Sequence, residues 1–363
     1  MADQLREVTD ADLDAIEIGA AILGTGGGGN PYIGKLRCRE QLKMGRRIPV
    51  IPLAELPDDA LVMSLGGIGA PVVGVEKIEE GEECLRAMRA VEKELGVKVD
   101  ALISAEIGGA NSMEPMLTAA QAGLPVVDGD GMGRAFPEMQ MCTWSIYGHR
   151  EAPAAMADEK GSIVVIRDTP NDVWLERIAR SVVVAMGAAA GLATQPMRGD
   201  FVKRAAVPNT ITQALNLGRA VLHAHETNAD PVQTVIDQER GKLLMTAKIV
   251  DLQRHLKGGF AVGHMALEGF GAHHGDTGRI DLQNEFLVFR RNDQVEVCTP
   301  DLIVVLDSDT GLPITTEMLR YGQRIAVLGL PAHHLMRSPE ALKVVGPAAF
   351  GYPEITFAPM EDT

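Results

Sequence analysis

The stretch VDALISAEIGGANSMEPMLTAAQAGLPVVDGDGMGR, residues 99–134, decides the fold. Val99–Ser104 has the length and apolar content of a buried strand. It breaks at Gly108-Gly109, and Met113–Ala122 then reads as a helix. Leu124–Val127 is a second buried strand, ending in Asp128-Gly129-Asp130-Gly131-Met132-Gly133-Arg134. The same order occurs upstream, where Leu61–Leu65 runs into a glycine-rich turn at Gly66–Pro71 and a helix over Glu79–Leu95. Alternation of apolar strand, glycine-rich turn and helix predicts an α/β layer with a largely parallel sheet. Ligands of such sheets collect at the carboxyl ends of the strands, so the turns are expected to converge on one pocket.

Further upstream stands Gly24-Thr25-Gly26-Gly27-Gly28-Gly29-Asn30-Pro31, between segments that read as helices. Thr9 with Asp10 and Asp12 forms the start of the first, and Tyr32–Met44 forms the second. Glycine is costly to order, so such a run has a purpose: a tight structural turn, or backbone N–H groups brought to a ligand beside a helix N-terminus. No Gly-Lys-Ser/Thr follows, which removes a Walker loop. No strand precedes, which removes a dinucleotide fingerprint.

Downstream, residues 139–166 read as strand-rich, with strands at Trp144–Tyr147 and Gly161–Ile166. The polar, proline-bearing junction Arg167–Asp172 marks a domain boundary. Val173–Ala190 reads as an apolar helix buried on most sides, a second helix opens at Pro208-Asn209, and Asp230-Pro231 starts a third. Beyond Gly241, short β-type runs alternate with turns, which predicts a small β sandwich or barrel. The expected architecture is an N-terminal layered α/β domain over 1–168 and a C-terminal α+β domain over 169–363.

The 363 residues are ample for two cores. A net charge of −15 leaves no basic stripe for nucleic acid. Four scattered cysteines without CxxC spacing support neither a disulfide framework nor a thiolate zinc cage. The polar start MADQLREVTDADL excludes a signal peptide, and no apolar run is long enough to span a bilayer. The reading is a cytoplasmic protein acting on a small molecule, with no membrane partner and with a homo-oligomer suited to its apolar helix.

Asp128, Asp130, Arg134 and Glu138 form the densest chemistry, at a strand's carboxyl end. Carboxylates crowded in a desolvated cleft bind a cation or hold one raised pKa, and both arrangements suit hydrolysis. The plain alternative is an Asp/Gly turn with Arg134 pairing a neighbour. Glu106 and Asn111 sit at the preceding strand end, as a general base and a hydrogen-bond donor to a carbonyl, or as turn and cap residues. Asn284 and Glu285 precede an apolar strand and either reach the pocket or end a turn. The pairs His273-His274 and His333-His334 lie in loops, and His223 and His225 point to different helix faces.

Several motifs together resemble the S-methyl thiohydantoin desulfurase family, a hydantoinase/oxoprolinase-related group. They are GTGGGGNPYIG (24–34), SLGGIGAP (64–71), VVDGDGMGRAFPEMQM (126–141), ADEKG (157–161), DLQNEFL (281–287) and PDLIVVLDSDTGLPITTEMLRYGQRIAVLGLPA (300–332). The family often carries Asp where Asn30 stands. The resemblance implies a zinc-dependent hydrolase in which water attacks the ring carbon bearing the S-methyl group and methanethiol leaves. On that reading Asp128, Asp130 and Glu138 are the metal ligands or base. The backbone of Gly26, Gly27, Gly28 and Gly29 stabilises developing charge, and Arg134 or Lys35 holds an acidic substituent. A cyclic amide hydrolase and a non-catalytic binding protein are the competing readings.

Overall fold

The structure is a computed structural model that describes residues 4–70, 73 and 77–360. Pro71, the last residue of the motif at 64–71, lies outside the described residues. The first part of the chain runs β1 (Glu7–Val8), α1 (Asp10–Leu23), α2 (Tyr32–Lys43), β2 (Ile48–Pro52), β3 (Leu61–Gly69), α3 (Glu83–Leu95), β4 (Ala101–Ser104), α4 (Met113–Ala122) and β5 (Val126–Asp130). There follow α5 (Thr143–Ile146), β6 (Ala154–Ala157), β7 (Ile163–Ile166), α6 (Asp172–Ala185), β8 (Ala189–Ala193), β9 (Met197–Arg198), α7 (Gly199–Ala205), β10 (Val207–Pro208), α8 (Thr210–Thr227) and α9 (Pro231–Glu239). The last part holds β11 (Lys242–Lys257), β12 (Phe260–Gly269), β13 (Thr277–Gln283), β14 (Glu285–Arg291), β15 (Gln294–Cys298), β16 (Leu302–Asp307), β17 (Arg324–Leu330) and α10 (Pro339–Val345).

The expected two-part α/β architecture is present. Strands β2, β5, β4 and β3 lie side by side in parallel, and β8, β6 and β7 extend the sheet antiparallel. This ten-stranded mixed sheet takes strands from both sides of residue 168. The β segments after Gly241 form one seven-stranded antiparallel sheet, ordered β15-β14-β13-β12-β11-β17-β16 and curled into a half-barrel.

Two cores meet along β16. Leu302, Val304 and Leu306 face the core shared with the N-terminal helices, whereas Ile303 and Val305 face the half-barrel's own core. The strand's period of two thus joins both bodies. Helices α1 and α8 cross closely at glycines: a Cβ on Gly19 would lie 1.9 Å from the Ala214 carbonyl oxygen, and one on Gly218 would lie 1.8 Å from that of Ala15.

Three local expectations are corrected. Gly66–Gly69 is not a turn but the end of β3, paired antiparallel with Ala189–Leu192. Residues 144–147 are not a strand. Thr143–Ile146 forms the short helix α5, where Trp144 is fully buried and donates its indole N–H to Glu151 at 2.8 Å. Helix α6 is two-sided: Leu175, Ala179 and Val183 are buried while Val173, Trp174, Ile178 and Val184 face outward.

Candidate active site

The glycine loop is shaped by close approach. Thr25 and glycines 26, 28 and 29 adopt positive φ. The Gly28 carbonyl accepts from Ala110 N at 2.9 Å, so the loop lies flat on the β4–α4 connection. A Cβ on Gly28 would be 2.1 Å from the Gly108 oxygen, and one on Gly27 would be 2.0 Å from Glu285 Oε1. Glycine is therefore required for contact with protein. The C-terminal body is stitched to the same loop, with Phe286 N donating to the Thr25 carbonyl and Thr316 N to the Gly26 carbonyl, each at 2.8 Å.

Beside the loop opens a cavity of about 520 Å³. Its wall includes Gly28, Gly29 and Asn30, the end of β3, Glu106 and Asn111, Glu138, and from the half-barrel Asn284, Glu285 and Glu317. The carboxyl ends of β3 and β4 thus converge on one pocket, as the strand–turn–helix pattern predicts. Gly26 and Gly27 lie behind it, and the Gly27 N–H is satisfied by the Gly24 carbonyl at 2.8 Å. Asn30 is exposed and stands just before α2, accepting from Tyr32 N at 2.9 Å.

Glu106 is buried and held from two sides. Its Oε2 accepts from Phe136 N at 2.9 Å and its Oε1 from the Asn111 side-chain amide. Asn111 in turn accepts from Gly67 N at 2.5 Å, so it orients the carboxyl rather than greeting a substrate carbonyl. Desolvation outweighs these donors and pushes the Glu106 carboxyl up to about 8.

Glu285 stands against it from the other body, 1% exposed. It accepts a backbone hydrogen bond from Gly28, while its Oε2 has no partner among the described residues. Burial, and then the charge of Glu106, hold its carboxyl well above the usual range. Two buried carboxyls in mutual repulsion cannot readily both ionise, so one retains a proton at neutral pH.

Asn284 precedes it at φ 58° and accepts from Ala261 N at 2.9 Å through its side-chain oxygen.

The other predicted residues are placed elsewhere. Asp128 caps α8, accepting from Ile211 N at 3.0 Å, Thr212 N at 3.2 Å and Thr212 Oγ1 at 2.5 Å. Asp130 is fully buried and accepts from Ile107 N, Met132 N and Gly133 N; burial pushes it up to about 7 against those donors. Arg134, also fully buried, donates to the carbonyls of Ala135, Pro300, Asp301 and Phe286 and to Thr25 Oγ1. It ties the two bodies together with every arm of its guanidinium committed. Lys35 is taken up by Asp14 and Glu17.

Glu138 does line the cavity, but beside Gln140, Glu176 and Arg180. Asp128, Asp130 and Glu138 therefore do not converge, and their oxygens are largely spent on protein donors. They do not fit a zinc site. Among the described residues no group of three His, Cys, Asp or Glu side chains is placed to hold a metal ion. The histidine pairs serve the fold: His273 accepts from Thr246 N at 3.2 Å, and His333 is the N-cap of a short turn.

Sequence reasoning left five cavity carboxyls unassigned, Glu79, Glu114, Glu151, Glu176 and Glu317. Glu151 bonds the Trp144 indole and is pushed up to about 8 by burial. Glu114 is likewise raised to about 8, by burial first and then Glu79. Glu317 stands in the motif ITTEM, which carried the resemblance without a role. None sits at a strand's carboxyl end, the one positional signal the sequence offered.

The fold agrees with what the chain is similar to. It belongs to the S-Me-THD-like family, whose N-terminal domain matches residues 11–168 and whose C-terminal domain matches residues 170–360. The family is that of S-methyl thiohydantoin desulfurase. A crystal structure of a protein from Chromobacterium violaceum is similar over 98% of this chain and 100% of its own, at 25% identity and a TM-score of 0.76. No curated protein matches this chain closely enough to lend it an activity. Among the described residues no helix is long and apolar enough to cross a membrane.

Proposed function

We propose that the cavity hydrolyses a small five-membered ring, with S-methyl thiohydantoin as the substrate, giving hydantoin and methanethiol. The observation that carries this reading is the pair Glu106 and Glu285: buried, electrostatically coupled, and supplied to one cavity by different bodies. The ionised member takes a proton from water as its oxygen attacks the ring carbon bearing sulfur. The protonated member gives its proton to the departing sulfur when the C–S bond breaks. Burial supports both roles, because it pushes the Glu106 carboxyl up to about 8 and holds that of Glu285 well above the usual range. Asn111 and Phe136 N fix Glu106, Gly28 N fixes Glu285, and the side-chain Nδ2 of Asn284 is left to donate to the ring carbonyl. No step is drawn through a metal, since the carboxylates named for one are engaged elsewhere.

The test is to incubate the protein with S-methyl thiohydantoin and follow free thiol and ring products together. Equal amounts of thiol and hydantoin support the proposal. A ring-opened product with sulfur retained identifies a cyclic amide hydrolase, and unchanged substrate a binding protein; either defeats it.

A further inference from the structure

We propose that strand β7, the open edge of the ten-stranded sheet, docks a second copy of this chain, antiparallel and about a two-fold axis through Val164. This stands apart from the chemistry of the cavity, whose wall includes no residue of β7. It goes beyond an oligomer expected from the apolar helix by naming the strand, the symmetry and the register.

Among the described residues β7 is the last strand of its sheet, with β6 on one side only. The pairing runs without a shift from Ala154 opposite Ile166 to Ala157 opposite Ile163. Just before the strand, Asp158 N donates to the Ser162 carbonyl at 3.1 Å. Alternation along an antiparallel ladder then turns the main-chain groups of Val164 and Ile166 toward β6, and those of Ile163 and Val165 outward. Open edges are ordinarily blunted by a proline, a bulge or a charged side chain. Ile163–Ile166 carries none of these, and Ile163 and Val165 are 48% and 37% exposed.

The outward groups select a register. Ile163 meets Val165 of the second copy and Val165 meets its Ile163, which makes four main-chain hydrogen bonds and two β-branched cross-strand pairs. A shift one way would set Ile163 against Arg167, and a shift the other way would set Val165 against Gly161. Charge agrees with the same choice. Lys160, before the strand, comes level with Asp168 of the second copy, after it, once on each side of the axis. Both are available for this. Lys160 is 75% exposed and meets Glu159 only at 3.9 Å, a carboxylate that Lys77 already holds at 2.7 Å. Asp168 is exposed and accepts from Thr169 N at 2.8 Å, whereas Arg167 is paired with Glu94 at 2.6 Å.

Two short strands alone bury too little for a stable dimer, which needs about 1,200–2,000 Å². Val164 and Ile166 share a core with Leu175, Ala179 and Val183 of α6. A two-fold axis perpendicular to the sheet therefore sets both copies of α6 on one face of the joined sheet. Their exposed Val173, Trp174, Ile178 and Val184 supply the apolar area that the strands lack.

The experiment is sedimentation velocity at micromolar concentration, where the parent should run at twice the chain mass. Val165→Pro removes an outward N–H that β6 does not use. It should keep a native circular dichroism spectrum and raise the dimer Kd at least about tenfold. Lys160→Asp should weaken association about three- to tenfold, and adding Asp168→Lys should restore it, a readout that serves should the proline variant not fold. Single cysteines at 163, 164 and 165 report the register. At the axis Val164→Cys faces its own copy in a non-hydrogen-bonded pair with Cα atoms about 4.5 Å apart, within disulfide range, so it should cross-link fastest under mild oxidation. A monomeric parent overturns the proposal. So does a dimer indifferent to Val165→Pro and to the charge reversals, or one that cross-links faster at 163 or 165 than at 164.

Discussion

Replacing Glu106 by Gln should invert the pH dependence of the difference in stability between variant and parent. Burial lifts this carboxyl from 4.5 to about 8. The folded state therefore holds a proton that the unfolded state releases over that range. The associated stability is fully present below about pH 4.5 and lost as pH rises past about 8. At about 1.4 kcal/mol per pKa unit, the span is worth up to about 5 kcal/mol.

Glutamine does not titrate, so the variant escapes that loss. It carries instead a fixed cost. Both Glu106 oxygens accept hydrogen bonds, from Phe136 N and from Asn111, and Asn111 cannot turn over without presenting its own N–H₂ to Gly67 N. One mismatched buried donor pair costs about 1–3 kcal/mol at any pH. Urea unfolding at pH 5, 7 and 9 should show the variant less stable than the parent at pH 5 and more stable at pH 9. Glu151 titrates alike in both proteins and cancels in the difference, whereas Glu285, held up in part by the Glu106 charge, is relieved in the variant and adds to its gain at pH 9. Parallel curves for parent and variant would refute the reasoning, because Glu106 would then be ionised in the folded state throughout.

Four further outcomes follow from the same geometry. Asp128→Ala uncaps α8 and should cost about 1–2 kcal/mol in urea unfolding while leaving the rate of thiol release within about twofold. Gly27→Ala sets a methyl group where Glu285 Oε1 now lies, at 2.0 Å; it should fold yet lose at least about 100-fold in thiol release, measured against circular dichroism as a control. All four cysteines are buried and burial raises each thiol, so a thiol-reactive chromophore should label none in the native protein and all in urea. Dialysis against a chelator should leave thiol release unchanged. A loss restored by added zinc would show that ligands other than Asp128, Asp130 and Glu138 assemble a metal site.

The repeated strand, glycine turn and helix were legible because each element's signal is local: apolar runs, caps and turn glycines. Thr9 with Asp12, and Asp230 before Pro231, start helices where their positions suggested. The extension of β3 through Gly66–Gly69 was not legible. Those glycines look like a turn until the antiparallel partner β8, more than a hundred residues later, is known. The two-sided face of α6 escaped for a similar reason, since its apolar residues outnumber the buried positions the fold provides.

In the site, Glu106, Asn111, Asn284 and Glu285 were found as polar residues at element ends, and they do meet. Asp128, Asp130 and Arg134 were equally conspicuous, but their partners are main-chain groups of α8, of the following turn and of the distant half-barrel. A sequence shows how many carboxylates crowd a turn. It does not show which backbone donors have already claimed them. Glu317 was invisible because nothing local marks a carboxyl that the fold brings to the cavity wall.

The measurement closest to the central claim is kcat/KM for thiol release from S-methyl thiohydantoin by the parent, Glu106→Gln, Glu285→Gln and the double variant. If the two carboxyls act as one acid–base unit, each single variant falls by at least about 100-fold and the double variant falls little further. Single variants that both stay within about twofold of the parent would contradict the account.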